Sequence, residues 1–89
     1  MNWYKIKANE GGAESYTYVG SSPDSAEAIA EKAGRGEYIR LDDLLYMDRG
    51  EIKAWAEWDK TVVPTVYISP DRICSFMQFK GDPRALPRK

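Results

Sequence analysis

The chain has no histidine and a single cysteine, Cys74, among its 89 residues. Without an imidazole it lacks the one side chain whose ordinary pKa lies near neutrality. This removes the Ser-His and Cys-His nucleophile systems and most zinc sites. One thiol closes no internal disulfide and builds no thiolate cluster, which fits a reducing compartment and sets the expectation of a cytoplasmic protein. No window approaches the roughly 18 consecutive apolar residues of a membrane span, and the opening MNWYKIKANE has no apolar signal-peptide core. The expectation is therefore no membrane and no secretion. The phosphate-cradling pattern G-x-x-x-x-G-K-[ST] is also missing. The glycines at 34 and 36, which flank Arg35, are better placed to end a helix; contact with an anion there is a weak second reading.

What is present fits one small domain. A chain of this length buries only about 60 to 65% of its unfolded surface, so a second core is out of reach. Its 43% hydrophobic and 30% charged residues are globular values. The net charge of −1 divides unevenly, with +3 on residues 80–89 (KGDPRALPRK) and −4 on residues 1–79. We read 1–79 as a single α+β domain and 80–89 as a basic, proline-containing tail. Four cations are few for a nucleic-acid arm, so a solvated extension is the plainer reading.

The clearest local signal is SSPDSAEAIAEKAG, which predicts one amphipathic helix over about 23–33. Ser22 suits an N-cap, Pro23 the first helical position and Asp24 the positive end of the helix dipole. Ala26, Ile29, Ala30 and Ala33 recur at helical spacing, and Gly34 is placed for the C-terminal stop. Around this helix the pattern has period two. Tyr4, Ile6 and Ala8 alternate with Trp3, Lys5 and Lys7; a turn at NEGG (9–12) leads to a second strand over 15–19, with Tyr16 and Tyr18 on one face. Ile39 and Leu41 oppose Tyr38, Arg40 and Asp42, and DRGE (48–51) turns at Gly50. Residues 61–63 and 66–68 are strand-like, and Pro70-Asp71 makes a turn. The final run, with Ile73, Cys74, Phe76, Met77 and Phe79, is apolar on both faces, which predicts a central strand. Short connections make the pairing antiparallel. The expected fold is α+β with a bent antiparallel sheet, and the finer expectation is closure into a small SH3-like or Sm-like barrel.

The stretch EIKAWAEWDK (51–60) reads two ways. As a helix it sets Ile52, Trp55 and Ala56 in one stripe with Trp58 at its edge; as a strand it points Trp55 and Trp58 to opposite faces. Because each indole buries about 200 Å², a marginal domain is expected to use at least one of them as core. An exposed one would be a partner anchor, a role in which tryptophan is enriched.

Cys74, between Ile73 and Phe76, is expected to be an inert buried thiol. Asp42, Asp43, Asp48 and Glu51 do not have calcium-loop spacing, and adjacent Asp42 and Asp43 would diverge on a strand. No metal site and no cofactor are expected. The leading expectation is a non-enzymatic protein-interaction module, a small accessory, adaptor or assembly subunit. It would bind a protein partner or a second copy through an aromatic patch or a sheet edge, with Trp55, Trp58, Tyr46 and Arg72 as contacts. Single-strand nucleic-acid binding through Tyr16, Tyr18, Tyr67 and the tail arginines is opposed by the acidic body. A carboxylate-only hydrolase using Asp42 or Asp43 with Glu51 is less favoured still, since so short a chain offers little room for a deep pocket.

Overall fold

The computed structural model describes residues 1–9, 11, 12 and 14–85. Over these residues the order is β1 (Asn2–Asn9), β2 (Ser15–Ser22), α1 (Ala26–Gly34), β3 (Ile39–Asp48), β4 (Glu51–Ala54), α2 (Trp55–Trp58), β5 (Val66–Ile68) and β6 (Ile73–Gln78), with a 3-10 turn at Pro70–Arg72. All strand pairs are antiparallel. The sheet runs β4-β3-β2-β1-β6, and β5 pairs with β3. This is the α+β class that the alternating patterns imply.

Period two on β1 gives the core. Tyr4, Ile6 and Ala8 are fully buried and pack with Ile29 of α1, Ile39 and Leu41 of β3, and Ile68 of β5. The hairpin partner β2 runs from Ser15 opposite Asn9 to Ser22 opposite Asn2. Of its predicted turn, Glu10 lies outside the described residues; the Asn9 side chain accepts from the Gly11 N–H at 2.8 Å.

A bulge shifts the register between β2 and β3, so that Val19 faces Leu45 while Ser21 faces Asp42. Asp43 takes φ 52° there. Its carboxylate accepts from the Ser21 hydroxyl at 2.7 Å, which anchors the irregular residue. Gly20 sits opposite, where a Cβ would lie 2.8 Å from the Asp42 carbonyl oxygen, so the close approach of the two backbones requires glycine. Beyond the bulge the partly buried Leu44 packs against the main core, and Leu45, which is buried, stands outside that cluster.

Several sequence expectations are corrected. The helix begins at Ala26 with Ser25 as its cap, the Ser25 hydroxyl accepting from Ala28 N–H at 3.1 Å. Ser22 is instead still paired in β2, and its hydroxyl accepts the Asp24 N–H at 3.1 Å. Asp24 bridges to Lys32 at 2.7 Å. The stop is at Gly36, φ 80°, not Gly34. Gly36 N–H donates to Ala33 and Glu37 N–H to Lys32, the paired bonds of a Schellman motif. Residues 61–63 are not a strand; Val62 and Val63 are exposed in a loop between α2 and β5. The barrel does not close. Its end strands β4 and β6 do not pair with each other, and β4, only four residues long, turns into α2 before it could reach round.

The last strand is an edge, not a centre. β2 occupies one side of β1 and β6 the other, and no further strand among the described residues pairs with β6. Ile73 and Phe76 pack on the core, whereas Cys74 and Met77 are exposed, so the two-faced apolar pattern does not mark burial on both sides. Past β6, Phe79 N–H donates to the Trp3 carbonyl at 2.8 Å. Pro83 is buried, and the Arg84 guanidinium lies 5.2 Å from the Trp3 ring centre. Arg88 and Lys89 of the predicted tail lie outside the described residues.

Candidate functional site

The aromatic residues singled out in the sequence meet where β3, β4 and α2 join. Arg49 (φ 53°) and Gly50 (φ 81°) form a two-residue turn with both φ values positive, which matches the twist of flanking strands. The hairpin it makes sets Tyr46 opposite Lys53 and Leu45 opposite Ala54. The chain then coils for one helical turn, closed by Asp59 N–H donating to the Trp55 carbonyl at 2.9 Å. The stretch 51–60 is thus strand first and helix second.

In a helical turn, side chains three apart share a side. The rings of Trp55 and Trp58 accordingly meet edge to face at 5.1 Å, with Tyr46 at 5.1 Å from Trp55 and 6.3 Å from Trp58. These separations and tilts are those of favourable aromatic pairs. Trp55 and Tyr46 are half-buried and Trp58 is 64% exposed. Neither tryptophan of this stretch belongs to the core, contrary to the expectation. The buried indole is that of Trp3, 8% exposed beneath Arg84.

The charges nearby are largely engaged. Lys53 donates to Asp48 at 3.2 Å, and this hydrogen bond is the main cause raising its pKa above the ordinary lysine value. The Asp59 carboxylate is held below its usual range by the Thr61 hydroxyl and backbone N–H, at 2.6 and 2.9 Å. Arg84 is raised first by its hydrogen bond to Asp82, with smaller contributions from Asp43 and Glu57.

Arg72 does not join the rings. It lies in the 3-10 turn before β6, at the opposite end of the sheet order from β4, where it donates to the Asn9 carbonyl at 3.4 Å. Cys74, expected buried, is exposed on the same edge.

The carboxylates are occupied as well. Asp42 accepts from Arg40 and from the Thr65 hydroxyl, both at 2.9 Å; Asp43 serves the bulge; Glu51 is exposed, 3.9 Å from Lys53. Among the described residues no three or more of His, Cys, Asp and Glu come together in a metal-holding group.

Sequence reasoning passed over a cleft of about 320 Å³ between α1 and β3, walled by Asp24, Lys32, Tyr38 and Arg40. Its ion pairs are made within the chain, Lys32 to Asp24 at 2.7 Å and Arg40 to Asp42 at 2.9 Å. The Tyr4 hydroxyl donates to the Asp24 carbonyl at 2.6 Å, and burial, then the Asp24 charge, pushes its pKa up. Nothing in the local sequence signals this cleft, because its walls come from segments that only the fold brings together. Compared with family models, characterised proteins and solved structures, the chain matches none.

Proposed function

We propose that this chain is a non-enzymatic protein-interaction module that docks a protein partner on the Tyr46–Trp55–Trp58 surface. One observation carries the reading. Three large rings gather on a single helical turn and its neighbouring strand, outside the core, with Trp58 64% exposed. A domain this small has every reason to bury an indole at about 25 cal/mol per Å². Rings left at the surface are best used where a partner covers them, and tryptophan is enriched among the residues that dominate binding energy. Lys53 is neutralised by Asp48, which leaves Glu51, Glu57 and Asp59 against Arg49 and Lys60 over the rest of 48–60, an excess of one acid. A partner offering an apolar side chain flanked by groups of both signs suits this setting.

Nucleic-acid binding has less support, since Lys32, Arg35, Arg40, Lys53 and Arg84 each bridge a carboxylate of the chain. Phosphate contacts would have to compete with those pairs.

The test uses a Trp3→Phe chain, so that emission reports Trp55 and Trp58. Alone it should emit red-shifted light that acrylamide quenches. A partner recovered on the immobilised chain should protect that emission on titration and should be lost with Trp58→Ala but retained with Arg35→Ala. Emission that every recovered protein leaves quenchable would refute the reading. A salt-dependent shift with a mixed oligonucleotide would replace it with the nucleic-acid one.

A further inference from the structure

Three strands, β4, β5 and β6, each pair with a single other strand among the described residues, and two of them carry the usual protection against pairing with another chain. β4 is four residues long and bears Glu51 and Lys53. β5 is three residues long, set between Pro64 and Pro70, with Arg40 lying 5.8 Å from its Tyr67 ring. β6 has six residues, ICSFMQ, with no charge and no proline. The chain beyond it crosses to Trp3 on β1, so that residues 83 and 84 cover the sheet inward of β6 and not its free edge.

We propose that two copies of this chain pair β6 to β6 antiparallel, about a two-fold axis perpendicular to the sheet at Phe76. The register follows from the ladder already made. Phe79 N–H points to β1, where it meets the Trp3 carbonyl at 2.8 Å. Backbone groups alternate in direction along a strand, so Phe76 and Gln78 direct their N–H and C=O groups to the free edge. A two-fold at Phe76 lets Phe76 exchange both bonds with Phe76 of the second copy. It sets Ser75 opposite Met77 on each side, a non-hydrogen-bonded pair. These positions lie in the regular part of β6, past its register shift near Cys74.

The side chains of β6 suit a second copy. On the core side, Phe76 already packs edge-on to Tyr4 at 6.4 Å, and a second Phe76 extends that row across the axis. On the other side, Met77, 57% exposed, borders a notch of about 160 Å³ with Lys5 and Phe79, which the opposing strand would cover. Asp71 and Arg72 precede β6, and Lys80 and Asp82 follow it. With Phe76 opposite Phe76, position 72 comes opposite position 80, so Arg72 nears Lys80 of the second copy and added salt should screen that repulsion. The pairing is separate from the aromatic surface at β4 and α2, so each survives loss of the other.

The experiment is sedimentation equilibrium of the full chain over a concentration series, with three variants. The chain should show a monomer–dimer equilibrium. Gln78→Pro removes an outward N–H without touching the β1 ladder, and Met77→Lys charges an exposed position. Each should raise the dimer Kd by at least about tenfold, and Trp58→Ala should leave it unchanged. The register is tested by mixing Cys74→Ser/Ser75→Cys chains with Cys74→Ser/Met77→Cys chains under mild oxidation. Non-hydrogen-bonded partners lie about 4.5 Å apart at Cα, within disulfide range, so a crosslinked heterodimer should form only in the mixture. A chain that stays monomeric up to about 1 mM, or a dimer unaffected by Met77→Lys, would overturn the proposal. A dimer abolished by Trp58→Ala alone would also overturn it, and would place self-association on the aromatic surface instead.

Discussion

Strand β1 and the arm over residues 51–63 have comparable apolar content and opposite fates. In β1 the residues Trp3, Tyr4, Ile6 and Ala8 are buried; in the arm no residue is, although it holds Ile52, Trp55, Trp58, Val62 and Val63. The difference lies in neighbours. β1 is flanked on both sides, by β2 and β6, and faces α1, β3 and β5 across the core. The arm hangs from one side of β3, and its rings pack on each other and on Tyr46 of β3. Hydrophobicity becomes burial only where the topology supplies a second layer.

That contrast makes the sharpest prediction. Ile6→Ala removes a fully buried side chain and should cost about 2 to 5 kcal/mol of stability in urea unfolding. For a domain of this size that is a large share of the total, so the variant should be partly unfolded on mild heating. Gly20→Ala attacks the same core through the bulge, by pressing a Cβ against the Asp42 carbonyl. It should cost about 1 to 3 kcal/mol and lower the chemical-denaturation midpoint without changing the slope.

A smaller effect belongs to the segment over Trp3. Hydrogen bonds from the Arg84 side chain hold the Asp82 carboxyl below its usual range. A folded-state pKa below the unfolded one gives stability that is present above the unfolded value and lost as pH falls through the folded value. Asp82→Asn should therefore melt below the parent near neutrality, and the gap in Tm should close as the solution is acidified. A gap that stays constant with pH would mean that shape, and not charge, is what Asp82 supplies. The smallest effect is expected from Trp58→Ala. It should change stability by less than about 1 kcal/mol, because an exposed ring resting on two neighbours has little burial to lose. If it unfolds the chain as Ile6→Ala does, the arm is structural and the contrast between the two regions disappears.

The sequence exposes much of this division, and the residues show where it stops doing so. Alternation over Tyr4, Ile6 and Ala8, and again over Ile39 and Leu41, predicts the core strands correctly, because local period and burial coincide there. The Asp48-to-Glu51 turn is equally legible through Gly50. The helix start is displaced from Ser22 to Ser25 because two serines compete for the same capping role. Ser22 is already committed to a strand by its partner Asn2, a fact of tertiary pairing. Cys74 and Met77 misled for a related reason: an apolar run implies a covering layer, and among the described residues none covers these two side chains. Tyr46, Trp55 and Trp58 are individually visible in the sequence, but their union depends on a strand ending at Ala54 and a turn of helix beginning at once. Neither period covers such a junction.

The placing of β6 beside β1 has a consequence for how the molecule forms. Ala8 pairs with Ile73 and Tyr4 with Gln78, so the first strand of the sheet waits for the last. Closing so long a loop before any contact rewards it is slow, and domains rich in such pairings fold in about milliseconds to seconds. On a ribosome, β1, β2 and α1 would emerge with one side of β1 bare until β6 follows. The rate-limiting event should then be the capture of β6 by the finished hairpin, so that substitutions in Ser75–Gln78 slow folding while those in α2 act only on unfolding.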